Sequence, residues 1–353
     1  MTTTIKENEE HKHHHKHHHH HHHNHHHHSK KKRNQRIGIA IIIALVAVLV
    51  VSLVYATQHG NQSKDESDSK DYHTVVYKGK TYKFNSSIVS LYLLGVDKTK
   101  TDPNRKNEQG QSDAIDMLLM DRSKKTIKVI TIPRDCMTSI EEFDGEGESL
   151  GWDTNHLALA YAYGDDEESG CMRSMRATSK MLSNVPINYY AEMNMDSIEK
   201  LQAIVGDLQV TVPNNSLKKK FGWSKGQTIT INESNVESYV RYRDIKVDFS
   251  PGTRQERQKT YYQAYYEKLT QLLKKDFNGT IQKMYSLLKT VTTNLSYDTL
   301  VDFGNMLLDY SFDDSQYYNI PGKYVSGDEY DEYHINKTKL KEMVLKLYYT
   351  QEK

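Results

Sequence analysis

The sequence predicts an α/β protein, an α/β/α sandwich about a central mixed sheet, preceded by one transmembrane helix. Three observations predict it. The runs IVSLYLLGVD (88–97), IDMLLMD (115–121) and TIKVITI (126–132) are near-continuously apolar, as strands covered on both faces are. Segments with apolar stripes at helical spacing follow and interleave with further strands. Ahead of them lies IGIAIIIALVAVLVVSLVYA (37–56), twenty residues without a charge. At about 1.5 Å rise per residue that run crosses a roughly 30 Å hydrocarbon core.

Taken in order, the chain opens with a basic head. Residues 1–36 carry eight Lys/Arg against three Asp/Glu, and the remainder carries 39 against 43, so the formal net charge of +1 hides a basic head and a mildly acidic body. Residues 11–28 hold fifteen histidines and no apolar side chain, a composition with nothing to bury and hence a solvated tail. Weak binding of Zn, Ni or Cu is the functional alternative for that tract. Lys30, Lys31, Lys32, Arg33 and Arg36 flank the span on one side and GNQSKDESDSKD on the other, which leaves the N-terminus in the cytoplasm. A cleaved signal peptide is the rival reading, but the run is long for one and lacks a small-x-small site. A nucleic-acid role is excluded for the body, which is acidic and lies across the membrane from the chromosome.

Residues 57–73 form a polar linker and the folded body occupies 74–353. TVVYKGKTYKF (74–84) alternates around Lys78-Gly79 as a hairpin does. After the three apolar strands, DSIEKLQAIVG has capping-box spacing at Asp196 and Glu199, a stripe through Ile198, Leu201 and Ile204 or Val205, and Gly206 to end it. LQVTVP (208–213) reads as a strand, 257–274 as a long helix, and Leu340, Met343, Val344 and Leu347 mark a last helix. The core spans about 88–270, with a C-terminal helical extension over about 271–353. Leu118, Leu119, Met172, Met181, Ile198 and Val205 are candidates for an apolar slot, though such residues are usually plain core. Cys136 and Cys171, the only two cysteines, both fall on the exported side, where a disulfide between them is slightly favoured over free thiols.

Charge gathers at three places: Asp97 with the later Asp113, Arg134-Asp135 after the strand 126–132, and Arg241, Arg243, Arg254 and Arg257 with Gln258 beside them. Arg241 and Arg243 stand two apart, which in a strand puts both on one face. Singly, each has an ordinary explanation as a turn cap, a surface pair or a solvated helix face. Jointly, several arginines need an anion, and a pyrophosphate suits their forked geometry. Two aspartates beside it would suit Mg²⁺, which prefers oxygen ligands.

The ordered series LYLLGVD, QSDAIDMLLMD, KKTIKVITIPRD, LALAYAYG, PINYYAEMNMDSIEKLQAIVGDLQVTV, SYVRYRD and RQERQ resembles the LytR-CpsA-Psr family of bacterial cell-envelope proteins, known from Gram-positive walls. The resemblance implies an extracytoplasmic transferase, anchored by its single span. Such an enzyme takes a glycopolymer (teichoic acid, capsule or similar) from a polyprenyl-pyrophosphate carrier and joins it to peptidoglycan through a phosphodiester. It implies pyrophosphate binding by Arg134, Arg241, Arg243, Arg254 and Gln258, Mg²⁺ at Asp97 and Asp113, and chemistry carried by Asp97, Arg134 and Asp113, with Asp97 as the proton acceptor. Three positions depart from the family pattern: His156 where many relatives have lysine, SPGT (250–253) before Arg254, and Cys136 where threonine is common. Two rival functions stay open, a non-catalytic envelope sensor or transcription attenuator, and a module that binds anionic wall polymer without chemistry.

Overall fold

The computed structural model describes residues 73–96, 110–194, 196–242, 252–312, 314–327 and 330–352. The histidine tract, the predicted span 37–56 and nearly all of the linker lie outside the described residues, as do Asp97 and Arg243. Among the described residues no helix is long and apolar enough to cross a membrane.

The body opens with the expected hairpin, β1 (Thr74–Tyr77) and β2 (Lys80–Phe84). Lys78 and Gly79 both adopt positive φ, 50° and 73°, as a two-residue turn matched to strand twist requires. The Lys78 Nζ and Tyr77 hydroxyl both donate to Glu342 Oε1, at 2.7 and 3.1 Å. Next, β3 (Ile88–Val96), β4 (Ser112–Asp121) and β5 (Thr126–Ile132) make an antiparallel meander. Every residue of β3 and β4 is buried, which is why their sequence shows no polar alternation.

A two-stranded ribbon, β6 (Met137–Phe143) and β7 (Ser149–His156), leads into helices α1 (Leu157–Ala162) and α2 (Glu167–Met181). Strand β8 (Tyr189–Met193) then joins β3 in parallel. Helix α3 (Asp196–Val205) stops at Gly206, whose φ of 68° only a glycine adopts without cost. Strand β9 (Leu208–Thr211), the single turn α4 (Lys218–Phe221), β10 (Thr228–Ile231) and α5 (Val236–Arg241) follow. The helices α6 (Gly252–Lys275), α7 (Phe277–Leu288) and α8 (Tyr297–Asp309) come after, with β11 (Thr292–Thr293) between the last two. The chain finishes with β12 (Tyr317–Asn319), the hairpin β13 (Gly322–Ser326) and β14 (Asp331–Ile335), helix α9 (Lys337–Tyr348) and β15 (Tyr349–Gln351).

The central sheet has the order β11-β8-β3-β4-β5-β12 and is mixed, with β8 parallel to β3 and antiparallel to β11, and β12 parallel to β5. Alternate side chains feed two cores. Leu91, Leu93, Leu118 and Val129 pack with α3, α5, α6, α7 and α8, whereas Tyr92, Leu94, Met117 and Ile130 pack with α1, α2 and α9. The predicted α/β/α sandwich is therefore the architecture found.

Two details differ from the sequence reading. The segment expected as a helical extension supplies β11 and β12, the two edges of the central sheet, so the sandwich closes well past residue 270. Edge strands of two and three residues are too short to carry a periodic signal. The six candidate slot residues do not line one space: Leu118, Ile198 and Val205 lie in one core, Leu119 and Met181 on the other side of the sheet, and Met172 is 45% exposed.

Several buried side chains are charged by type, Asp116 among them. Asp116 on β4 is fully buried and neither of its carboxyl oxygens makes a hydrogen bond of ordinary geometry. Burial pushes it up to about 8, the Thr131 hydroxyl across the ladder offsetting part of that. Its folded pKa thus exceeds the unfolded value of about 4, so the stability cost is absent below about pH 4, grows as pH rises and is complete above about pH 8. Replacing Asp116 by Leu is expected to raise the unfolding midpoint, with a gap over the parent that widens between pH 5 and pH 9 to on the order of 4 kcal/mol. Denaturant melts at the two pH values check it, and a pH-independent gap would contradict the burial of an ionisable group.

Candidate functional site

Strand β5 ends at Ile132 because Pro133 has no amide hydrogen to continue the ladder. The next residue is Arg134, whose side chain is 16% exposed. Its guanidinium is held on three sides: Nη1 donates to Asp113 Oδ1, Nη2 to Gln111 Oε1 at 3.0 Å, and Nε to Asp135 Oδ1 at 3.2 Å. The ladder explains the meeting. Ile132 pairs with Ile115, so the residues just beyond β5 and just before Ile115 share one end of the sheet. Val96, the last residue of β3, pairs with Ser112 at the same end. Asp97 follows it in the chain and lies outside the described residues.

Asp113 and Asp135 are both nearly buried, 6% exposed, which makes them strong partners for a cation and costly ones to leave alone. His156 Nδ1 lies 3.8 Å from Asp135 Oδ1. The start of α1 is tied to the same loop, with Leu157 N donating to Cys136 O at 2.9 Å and Ala158 N to Arg134 O at 3.0 Å.

A second group comes from α5 and α6. Arg241 is the last residue of a helix, which corrects the strand expected from SYVRYRD. Val236, Tyr239 and Val240 are buried at helical spacing, and that burial overrides the short alternation. The Arg241 Nη1 pairs with Glu237 one turn back. Arg254 and Gln258 stand four apart on α6, on one face, and are 3% and 1% exposed. Gln258 Nε2 donates to Val240 O at 3.1 Å, while its buried Oε1 makes no hydrogen bond.

Arg257, between them, has a structural task. It is 1% exposed and donates Nε to Tyr239 O at 2.9 Å, Nη2 to Tyr242 O and Nη1 to Ser216 Oγ. Those carbonyls belong to the end of α5, so Arg257 fastens α5 to α6.

Tyr324 connects the two groups. Its hydroxyl is pushed up to about 12 by burial and by Asp135, Cys136 and Tyr333, with Arg254 pulling the other way. Asp135 and Arg254 thus act on one phenol in opposite senses. Arg254 also acts on Tyr262, whose hydroxyl burial and Asp116 raise. The structure thus brings together Arg134, Asp113 and Asp135, with Arg254 and Gln258 on the adjoining helix. Arg241 is held by the α5–α6 tie with its guanidinium on Glu237, and Arg243 lies outside the described residues.

Gln111, Tyr262 and Tyr324 were not singled out in the sequence; Gln111 stood in plain sight beside Ser112-Asp113, and nothing periodic marked the tyrosines. Cys136 and Cys171 are free thiols buried in one core, so the favoured disulfide is not formed. Burial raises the Cys136 thiol, and the Cys171 Sγ lies 3.9 Å from Glu192 Oε2. Among the described residues no cluster of His, Cys, Asp and Glu has the makings of a metal site, and Asp113, Asp135 and Gln111 contribute side-chain oxygens at this end of the sheet.

A family model described as the LytR_cpsA_psr family matches residues 50–348. The chain belongs to that family. A Bacillus cereus protein named polyisoprenyl-teichoic acid–peptidoglycan teichoic acid transferase TagU is 32% identical over 218 residues, which cover 62% of this chain and 64% of that one. The match thus spans a little under two thirds of that relative. Among solved structures, Bacillus subtilis TagV has a TM-score of 0.55 at 20% identity, covering 74% of this chain and 95% of that one. A family protein, TagT, described with bound octaprenyl pyrophosphate lipid, has a TM-score of 0.50 at 21% identity, covering 74% and 90%. At such identities the two structures speak for the fold, which agrees with the sandwich described above.

Loss of the Arg257 fastening is expected to cost about 3 kcal/mol, because Arg257→Met strips buried carbonyls of their donors. Chemical denaturation of the variant measures it. An unshifted midpoint would show that α5 is held by other contacts.

Proposed function

We propose that this protein transfers a glycopolymer from a polyprenyl-pyrophosphate carrier to peptidoglycan, outside the cytoplasmic membrane, with 37–56 as its single-span anchor. The observation that carries the proposal is Arg134 held at one end of the central sheet by Asp113, Asp135 and Gln111, with Arg254 acting on the same Tyr324 hydroxyl as Asp135 does. Membership of the family and the teichoic acid transferase name of its Bacillus cereus relative support the same reading.

The arrangement suits phosphoryl transfer, in which a protein mainly positions groups and offsets charge. Arg134, with its donors oriented in advance by carboxylates, meets the diphosphate oxygens without reorganising; Arg241, Arg243, Arg254 and Gln258 are the further diphosphate ligands that the family resemblance implies. The acceptor sugar hydroxyl attacks the phosphorus attached to the glycopolymer, the bond to the bridging oxygen breaks, and polyprenyl phosphate leaves. Asp97 takes the hydroxyl proton. Mg²⁺, when held by Asp97 and Asp113, supplies a further positive charge beside the diphosphate.

The full chain in detergent, given a lipid-linked glycopolymer and peptidoglycan strands, is expected to release polyprenyl phosphate. Turnover in Arg134→Ala should fall by roughly 10²- to 10³-fold, and chelation of Mg²⁺ should stop it. Removal of residues 1–28 should leave turnover intact, whereas a sensor that signals through the tail would lose its effect. Undiminished turnover in Arg134→Ala would overturn the assignment of the site.

A further inference from the structure

The hairpin of β13 and β14 is fixed against the loop that bears Arg134. Tyr333 N donates to Asp135 O at 2.8 Å, Tyr333 forms a parallel bridge with Cys136, and its hydroxyl donates to Ile320 O at 2.7 Å. Gly322 is required beneath it, since a Cβ there would come within 2.6 Å of the Tyr333 ring. Tyr324 stands directly opposite Tyr333 in the register, their rings edge to face at 4.9 Å. The hairpin therefore cannot shift without moving the backbone of Asp135.

Two of its side chains are large, aromatic and exposed. Tyr324 is 57% exposed, although its hydroxyl end reaches the field of Asp135 and Arg254. Tyr330 is 43% exposed and meets His156 edge to face at 6.3 Å, and His156 lies 3.8 Å from Asp135. Exposed aromatic surface set beside a charged, preorganised group marks a binding position more often than a decoration. An aromatic ring stacks on the C–H face of a sugar, and the ring rather than its hydroxyl carries that contact.

We propose that Tyr324 and Tyr330 form a stacking subsite for a pyranose ring next to the diphosphate, a reading that rests on the transferase function above. The ring is either the first sugar of the lipid-linked donor or a sugar of the acceptor strand. Acidic Asp331 and Glu332 follow directly in the hairpin, so this surface repels an anionic bilayer and favours a sugar as the occupant.

The test uses the full chain in detergent with Tyr324→Ala, Tyr330→Ala and Tyr324→Phe. Polyprenyl pyrophosphate without a sugar should bind the parent and all variants alike; failure to bind the parent would refute the transferase reading itself. A lipid pyrophosphate bearing N-acetylglucosamine should bind each alanine variant about 3- to 10-fold more weakly if the donor sugar is the occupant. If the acceptor is the occupant, the KM for peptidoglycan strands should rise by a similar factor with donor binding unchanged. Tyr324→Phe should retain the parent's value in either arm, which separates a lost ring from a misfolded hairpin. Equal loss for bare and sugar-bearing lipid, no change in either arm, or loss confined to binding of phosphatidylglycerol vesicles would each overturn the subsite.

Discussion

The architecture depends on a sheet whose middle strands are buried on both faces. Such strands have no room for solvated charge along their length, so charge collects where they end. At one end β3, β4 and β5 start or stop within a few residues of each other, and there Arg134, Asp113 and Asp135 meet. The guanidinium and the two carboxylates make each other's burial tolerable, since any one of them alone would bear the full desolvation penalty. The site is thus a by-product of closing the sandwich as much as an addition to it.

Helices on one side of the sheet carry further arginines, Arg241 at the end of α5 and Arg254 and Arg257 on α6. Arg257 is central to this because it binds the carbonyls that end α5 and so sets where Arg241 leaves the helix. Arg254, three residues before Arg257, and Gln258, directly after it, are carried by the same helix. Of these three buried polar residues, Arg257 fastens the scaffold and Gln258 adds a bond to the same helix end at Val240 O.

Much of this was legible in the sequence. The apolar runs announced the covered sheet, Lys78-Gly79 announced the β1–β2 hairpin, and Gly206 the end of α3. IPRD announced that a buried strand delivers Arg134, and ladder pairing did the rest. What escaped was decided by tertiary packing. SYVRYRD alternates like a strand, but Val236, Tyr239 and Val240 had a core to fill at helical spacing. Asp116 hid inside IDMLLMD because a single carboxyl barely disturbs an apolar average. The edge strands and the β13–β14 hairpin come from a tyrosine-rich tail whose short pieces have no period to read. Cys136 and Cys171 share a core without bonding, which spacing along the chain does not reveal.

Strand β15 lies on β2, which lies on β1, so the last residues of the body are stitched to the first. Tension arriving through the residues ahead of Thr74 enters β1, passes sideways through β2 into β15, and reaches α9 by way of Lys78 and Glu342. None of those elements bears an arginine of the cluster.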